Sequence, residues 1–459
     1  MNNFEIAEQI FLAGVKGVLP GKLIIDLISL RGSLLKIGYM SFDLEKISNI
    51  YILGAGKASA AMAHYVESIL NTRITGGHII TKYGFFCRLK YIKVTEAGHP
   101  IPDSNSYMAA EEILRIAVNA TENDLIICLW SGGGSALLAD YPENSSPGEM
   151  AFLNEKLVKC GADISEMNAV RKHLSKLKGG QLAKNIWPAS TVSILLSDVI
   201  GDPYDIIASG PTVPDNSTFS DAMKVLEKYQ LINEIPAGLV NYLNEGVQGI
   251  RSETPKSGDP VFNKTATFLA GSNKFALRVA KDEAEKLGFT TFIITESLTG
   301  DSENACSFII DNTINYKNNN ILQKPVCLLF GGETTVRVTG KGQGGRNQHL
   351  ALSAALRLQH IPGITFLAAG TDGNDGDTDS AGAVVDSDTV PKALSKNVVP
   401  EMYLSNFDSY QFFKSIGGHI HTGPTMTNVM DLIVVLIDYP ENRNLNRGEA
   451  EFAEGKPET

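Results

Sequence analysis

Four charged residues with chemical potential stand beside clustered glycines: Lys57, Asp198, Arg346 and Asp372. Lys57 lies in GAGKAS (54–59), where Gly54 and Gly56 leave bare backbone ahead of a helix. Such a turn lets a chain approach a phosphate, and a helix N-terminus favours an anion. A tight strand-to-helix turn with a surface lysine explains the same residues. Asp198 ends the apolar run of LLSDVIGDPYDIIASGPT (195–212), placed to act as a base or as a magnesium ligand. Arg346 closes GKGQGGRNQ (340–348), a flexible loop whose forked cation suits a phosphoryl group; Glu333 sits just behind it. Asp372 is the acidic residue nearest its strand in GTDGNDGDTDSAG (370–382), which reads as a magnesium site or a solvated acidic turn.

Two further segments offer anion contacts. SGGGSALL (131–138) puts Gly132, Gly133 and Gly134 between Ser131 and Ser135, and successive bare amides form an anion-binding nest. Ser135 lacks the Gly-x-Ser-x-Gly setting of a hydrolase nucleophile, so it reads as a helix cap or phosphate contact. MNAVRKHLSKLKGGQLA (167–183) follows Asp163 and Glu166, a capping-box pair. Its lysines 176 and 178 suit a helix C-terminus, whereas Arg171 and Lys172 are candidates for an anionic substrate, and His173 reads as a polar-face residue.

Known phosphate motifs fail on inspection. A Walker A loop needs Gly at 51 and Ser or Thr at 58; Tyr51 and Ala58 stand there. A dinucleotide fingerprint needs a third glycine where Ser59 stands, and a carboxylate about 20 residues on, which HIITKYG lacks.

The elements that position these groups follow from apolar runs. Segments 50–53, 125–130, 192–196, 267–269, 292–294, 326–330, 365–368 and 432–437 alternate with amphipathic stretches. That pattern marks buried parallel strands in an α/β fold, where ligands bind at strand carboxyl ends. At about 150 residues per domain, 459 residues suggest two or three domains. The polar stretch 246–259 marks the break, giving an N-terminal Rossmann-like domain over 1–250, a smaller C-terminal α/β domain over 260–438, and a polar tail over 439–459. The strand at 432–437 could join either sheet. ILGAGKASAAMA and FLAGSNKFALRVA echo one another as strand, small-residue turn, lysine and helix.

Composition excludes other classes. The 40 Lys and Arg against 51 Asp and Glu leave a net charge of −11, which argues against nucleic acid and anionic membranes. No apolar run approaches the roughly 20 residues of a membrane helix, and the N-terminus reads as an amphipathic helix. Five scattered cysteines without a CxxC pair point to a reducing, cytoplasmic setting. The 43 glycines exceed the roughly 32 of average usage, and the surplus sits in the clusters above.

Taken in order, GAGKASAAMA, TEAGHPIPDSNS, SGGGSALL, NAVRKHLSKLKGGQLA, LLSDVIGDPYDIIASGPTVPD, GGETTVRVTGKGQGGRNQ, GTDGNDGDTDSAGA and HTGPTMTNVMDL resemble the glycerate 2-kinases of the MOFRL type. The resemblance runs from about Ile50 to Ile437, with one departure: Met426 stands where many members carry Gly. It implies a two-domain α/β kinase with its site in the interdomain cleft. The implied reaction moves the ATP γ-phosphoryl group to the 2-hydroxyl of D-glycerate, with Mg²⁺ or another divalent cation. Carried over, Lys57, Asp198 and Arg346 form the catalytic constellation, with Asn428 as a candidate to join them and to bind substrate; Asn168 and Asn347 are further candidate binding residues beside it, and Asp198 and Asp372 the candidate metal ligands. The expected partners are small molecules, with a homodimer as a candidate assembly. The cleft is expected to be positive, holding Lys57, Arg171 and Arg346. The competing reading is an NAD(P)-dependent hydroxypyruvate reductase, against which the failed fingerprint speaks.

Overall fold

A computed structural model of the chain describes residues 1–318 and 324–438. A small antiparallel meander comes first: β1 (Ile28–Arg31), β2 (Leu34–Ile37) and β3 (Met40–Asp43). Six strands then build the first large sheet: β4 (Ile50–Ala55), β5 (Gly76–Lys82), β6 (Lys93–Ala97), β7 (Leu125–Ser131), β8 (Ser190–Leu196) and β9 (Thr265–Gly271). All are parallel, in the order β6-β5-β4-β7-β8-β9. The central strand β7, LIICLWS, is buried at every position, as a strand covered by helices on both faces must be.

The second sheet contains β10 (Thr290–Leu298), β11 (Val326–Gly332), β12 (Ile364–Gly370), β13 (Gly382–Asp386), β14 (His419–Ile420) and β15 (Asp431–Ile437). Its order is β10-β11-β15-β12-β13-β14. Only β10 and β11 run parallel; every other pairing is antiparallel. The α/β class stands, but this sheet is mixed where a largely parallel one was expected. The segment 432–437 is its central strand. Apolar run length alone does not encode direction, because a strand buried on both faces has the same composition either way.

Two boundaries move. Strand β9 closes the first sheet, so that domain extends to Gly271 and the break near 250 falls inside it. The N-terminal helix Asn3–Gly17, capped by Asn2 and Glu5, packs on helix Asn273–Lys286 and on β12 and β15. One continuous apolar core therefore joins β4, β7 and β8 to β11, β12 and β15. A separate helical cover also appears. Helices Pro147–Lys159, Ile164–His173, Phe219–Lys228 and Ala237–Val247 enclose their own cluster around Leu153, Val170, Leu226 and Leu239.

All five cysteines are free thiols. No helix among the described residues is long and apolar enough to cross a membrane. The tail 439–459 and most of the polar loop at 316–324 lie outside the described residues.

Candidate active site

The order of the first sheet reverses between β4 and β7, which is where an open α/β sheet forms its ligand crevice. The turns after these two strands are stitched together. The Lys57 amide donates to the Gly132 carbonyl at 2.9 Å, and the Ala58 amide to Ser131 Oγ at 3.0 Å. Ser59 Oγ donates to the Leu129 carbonyl at 3.0 Å and lies 3.1 Å from Ser131 Oγ. Gly54 and Gly56 exist for this stitching, since a Cβ at either would collide with Leu129 or Ser131. Ser131 is correspondingly buried and its hydroxyl occupied, which corrects its expected role as a ligand contact. The Lys57 ammonium makes no ion pair among the described residues.

The three glycines that follow each make room for a different neighbour. A Cβ on Gly132 would collide with the Asp198 carboxylate, and one on Gly134 would come within 2.7 Å of Ala208 Cβ. Gly133 adopts a left-handed φ of +81°, and a Cβ there would lie 2.8 Å from His99 Nε2. The amides of Gly133, Gly134 and Ser135 have no acceptor among the described residues, so the expected nest is open. Gly133, rather than Ser135, is the N-cap of the short helix Gly134–Leu137. Ser135 Oγ lies 2.8 Å from Ser209 Oγ, which donates to Asn168 Oδ1 at 3.0 Å. Asn168 is buried behind this chain and its Nδ2 has no partner among the described residues.

Asp198 faces this turn from the end of β8. Burial pushes its pKa up to about 6; Lys57 pulls it down, while Glu333 and Asp372 push it further up. Those last two reach it from the other sheet, so the sheets face one another across the cleft. Glu333 follows β11 and Asp372 follows β12. Between them, Asp431 opens β15 and pairs in register with both Gly332 and Gly370. An antiparallel strand inserted between two parallel ones places its first residue at their carboxyl ends. That register is why Asp431 joins the site, and no local motif announces it.

Arg346 is held by these carboxylates. Its Nε and Nη2 donate to Asp431 at 2.6 and 2.9 Å, and its Nη1 approaches Glu333 Oε1 at 2.8 Å. Asn347 Nδ2 donates to Asp431 at 2.9 Å. Asp375 caps the helix Arg346–Leu358 through the amides of Asn347 and Gln348, and burial raises its pKa to about 6. Asn428 accepts from the Met430 amide at 3.1 Å, shaping the turn into β15. Met426 has φ of +61°, a backbone conformation that glycine adopts without cost.

Three expectations are corrected. Lys172 is buried, with its ammonium 3.1 Å from Asp215 and 3.3 Å from Asp205, so it is spent on an ion pair and cannot meet a substrate. His173 is buried too, its ring bonded to the Ala169 carbonyl and to Glu253. The cleft is acidic rather than positive: Asp198, Glu333, Asp372 and Asp431 stand against Lys57 and Arg346. Arg171 donates to Asn154 at 2.7 Å within the helical cover. Sequence reasoning also passed over His99 and Asp431; both sit inside quoted motifs, but only packing sets them apart.

Two family models match: a domain of unknown function (DUF4147) over residues 6–244, and the MOFRL family over residues 326–431. Glycerate 2-kinase of Pyrococcus horikoshii is 38% identical, covering 96% of this chain and 98% of its own. D-glycerate 2-kinase of Thermotoga maritima is 42% identical, covering 85% and 91%. The chain belongs to the glycerate 2-kinase family. A crystal structure of glycerate kinase from Thermotoga maritima superimposes with a TM-score of 0.84 at 38% identity, covering 95% of this chain and 99% of that one. Within this family's framework, the open turn, Lys57 and Asp198 lie on one wall of the cleft, and the carboxylates and Arg346 on the other.

Proposed function

We propose that this chain transfers the γ-phosphoryl group of ATP to the 2-hydroxyl of D-glycerate, giving 2-phosphoglycerate and ADP. The observation that carries the reading is the convergence at the switch point of raised Asp198 with Lys57 and the amides of Gly133–Ser135, which among the described residues have no ion-pair partner and no acceptor. Phosphoryl transfer needs positioning and charge neutralisation more than covalent chemistry. The 2-hydroxyl oxygen forms a bond to the γ-phosphorus as the bond to the β-bridging oxygen breaks. Asp198 receives the hydroxyl proton, and a pKa near 6 suits a base working at neutral pH. Lys57 steadies charge on the transferring group. Arg346, anchored by Asp431, presents Nη1 where a phosphate oxygen can replace Glu333.

The acidic cleft fits a divalent cation. Carboxylates that push up one another's pKa are hard oxygen donors short of positive charge. Among the described residues no three acidic, His or Cys side chains group closely enough for an all-protein cage. Mg²⁺ is commonly held by one or two carboxylates plus substrate phosphates; Asp372 is the residue to do so here, leaving Asp198 to the proton. When bound, the ion neutralises phosphate charge. The five free thiols agree with a cytoplasmic setting.

The test is product analysis. Incubation with ATP, Mg²⁺ and D-glycerate is expected to give stoichiometric ADP and a phosphate ester on C2 by ³¹P NMR. ADP without ester, or an ester on C3, contradicts the reading.

A further inference from the structure

His99 lies between β6 and helix Ser104–Val118, and nothing in the mechanism above uses it. Its ring lies against Gly133, the glycine whose Cβ would come within 2.8 Å of Nε2 and 2.9 Å of Cδ2. Gly132, one residue earlier, is kept bare by Asp198 in the same way. The turn is therefore flanked by a carboxylate and an imidazole, with open amides at Gly133, Gly134 and Ser135. The His99 ring makes no hydrogen bond among the described residues, although it is largely enclosed. Burial, then Lys57 and Lys82, push its pKa down to about 4. A neutral imidazole offers one donor and one acceptor, the complement of a hydroxyl rather than of a second anion.

Carbon 2 of glycerate carries three polar-bearing substituents: hydroxyl, carboxylate and hydroxymethyl. Asp198 serves the hydroxyl, and the open amides suit the carboxylate. That leaves the hydroxymethyl arm without a receptor. We propose that His99 is the specificity-determining contact for this arm, hydrogen-bonding the 3-hydroxyl of the acceptor and completing a three-point fit around carbon 2. The proposal rests on the kinase reading.

The test compares D-glycerate with D-lactate, which lacks only the 3-hydroxyl, in the full-length enzyme with ATP and Mg²⁺. A site built to bond a hydroxyl discriminates strongly against the analogue without it. Wild-type kcat/KM is expected to favour D-glycerate. His99→Phe keeps a ring against Gly133 and is expected to cut that preference by about tenfold or more. The loss falls on the KM for D-glycerate, leaving the KM for ATP unchanged. His99→Gln, which retains a donor and an acceptor, restores most of the preference. A wild-type preference preserved in His99→Phe overturns the proposal. If His99→Phe proves inactive, His99→Gln decides: a preference near wild type supports the contact, and equal losses on both substrates overturn it. Wild-type protein that forms no ADP with either acid defeats the kinase reading itself, a different result from unaltered discrimination.

Discussion

In the parallel sheet, Gly132 and Gly133 clear space for Asp198 and His99 at the cleft, and the nearby Lys57 has no ion-pair partner among the described residues. In the mixed sheet, Gly340, Gly342 and Gly345 clear space for Asn406, Asp408 and Asp375 of the same domain. The nearby Arg346 is gripped by Asp431 and Glu333. Both segments read alike in sequence, as glycines around a cation that a phosphoryl group would favour. Their roles diverge because a bare backbone can receive either a ligand or its own neighbouring chain. In the loop ahead of Arg346 the neighbouring chain already fills most of the cleared space, so the glycines there serve packing, and the arginine reaches a phosphate only with a guanidinium already anchored by carboxylates. A glycine-cation pattern becomes a binding surface only where the fold leaves the amides and the charge unpaired.

That contrast can be broken by substitution on either wall. Asp198→Asn is expected to have the largest effect, lowering kcat about 10³-fold with the fold intact. The wild-type enzyme carries the matching pH signature. Asp198 works deprotonated and its pKa is raised to about 6, so kcat/KM falls as pH drops through 6 and then declines about tenfold per pH unit. The stability sign is opposite. A raised folded pKa means the folded state holds the proton more tightly, a contribution present at low pH and lost as pH rises through 6. Asp198→Asn, which resembles the protonated carboxyl, should therefore raise Tm at pH 8. A lowered Tm there contradicts the burial argument.

Lys57→Ala ranks next, with a loss of about 10²-fold or more in kcat by a coupled ADP assay. Full activity in this variant would remove Lys57 from the reaction and erase the difference between the two cations. Lys172→Met tests the corrected assignment. Leaving Asp215 buried without its partner is expected to cost about 3 kcal/mol by urea unfolding, with the KM for D-glycerate unchanged. A raised KM would return Lys172 to the substrate. Arg346→Ala strips the forked partner from Asp431 but leaves Asn347 bonded to it. The expected loss is about 2 kcal/mol of stability together with reduced activity. Activity falling with no change in stability would make Arg346 resemble Lys57 after all. The smallest effect belongs to Met426→Gly. Relief at φ +61° is partly offset by the freer unfolded chain, for a net change under about 1 kcal/mol by the same unfolding measurement.

Much of this molecule is legible in its sequence. The runs at 50–53, 125–130, 192–196 and 326–330 are all strands, because continuous apolar stretches of that length have few other uses in a soluble α/β chain. The capping box at Asp163 and Glu166 marks the true start of its helix, because both halves of the motif are local. Lys57 and Asp198 share one edge of the first sheet, and Glu333 and Asp372 one edge of the second, because each follows a strand and strands that run the same way deliver their ends together; the facing of the two sheets then joins the pairs.

What the chain alone determined was the α/β class, the strand ends and the residues attached to them, since these depend on interactions between near neighbours. Tertiary structure decided the rest. Strand β15 runs against its neighbours, and only that register carries Asp431 to the cleft. Lys172 and Arg171 stand in consecutive positions, yet one is sealed beside Asp215 and the other bonds Asn154. Whether a cation is free or paired depends on carboxylates tens of residues away, and the same holds for the imidazole of His99 and the glycine it covers. Charge and burial at a site are sums over neighbours in space, and a linear pattern records only neighbours in the chain.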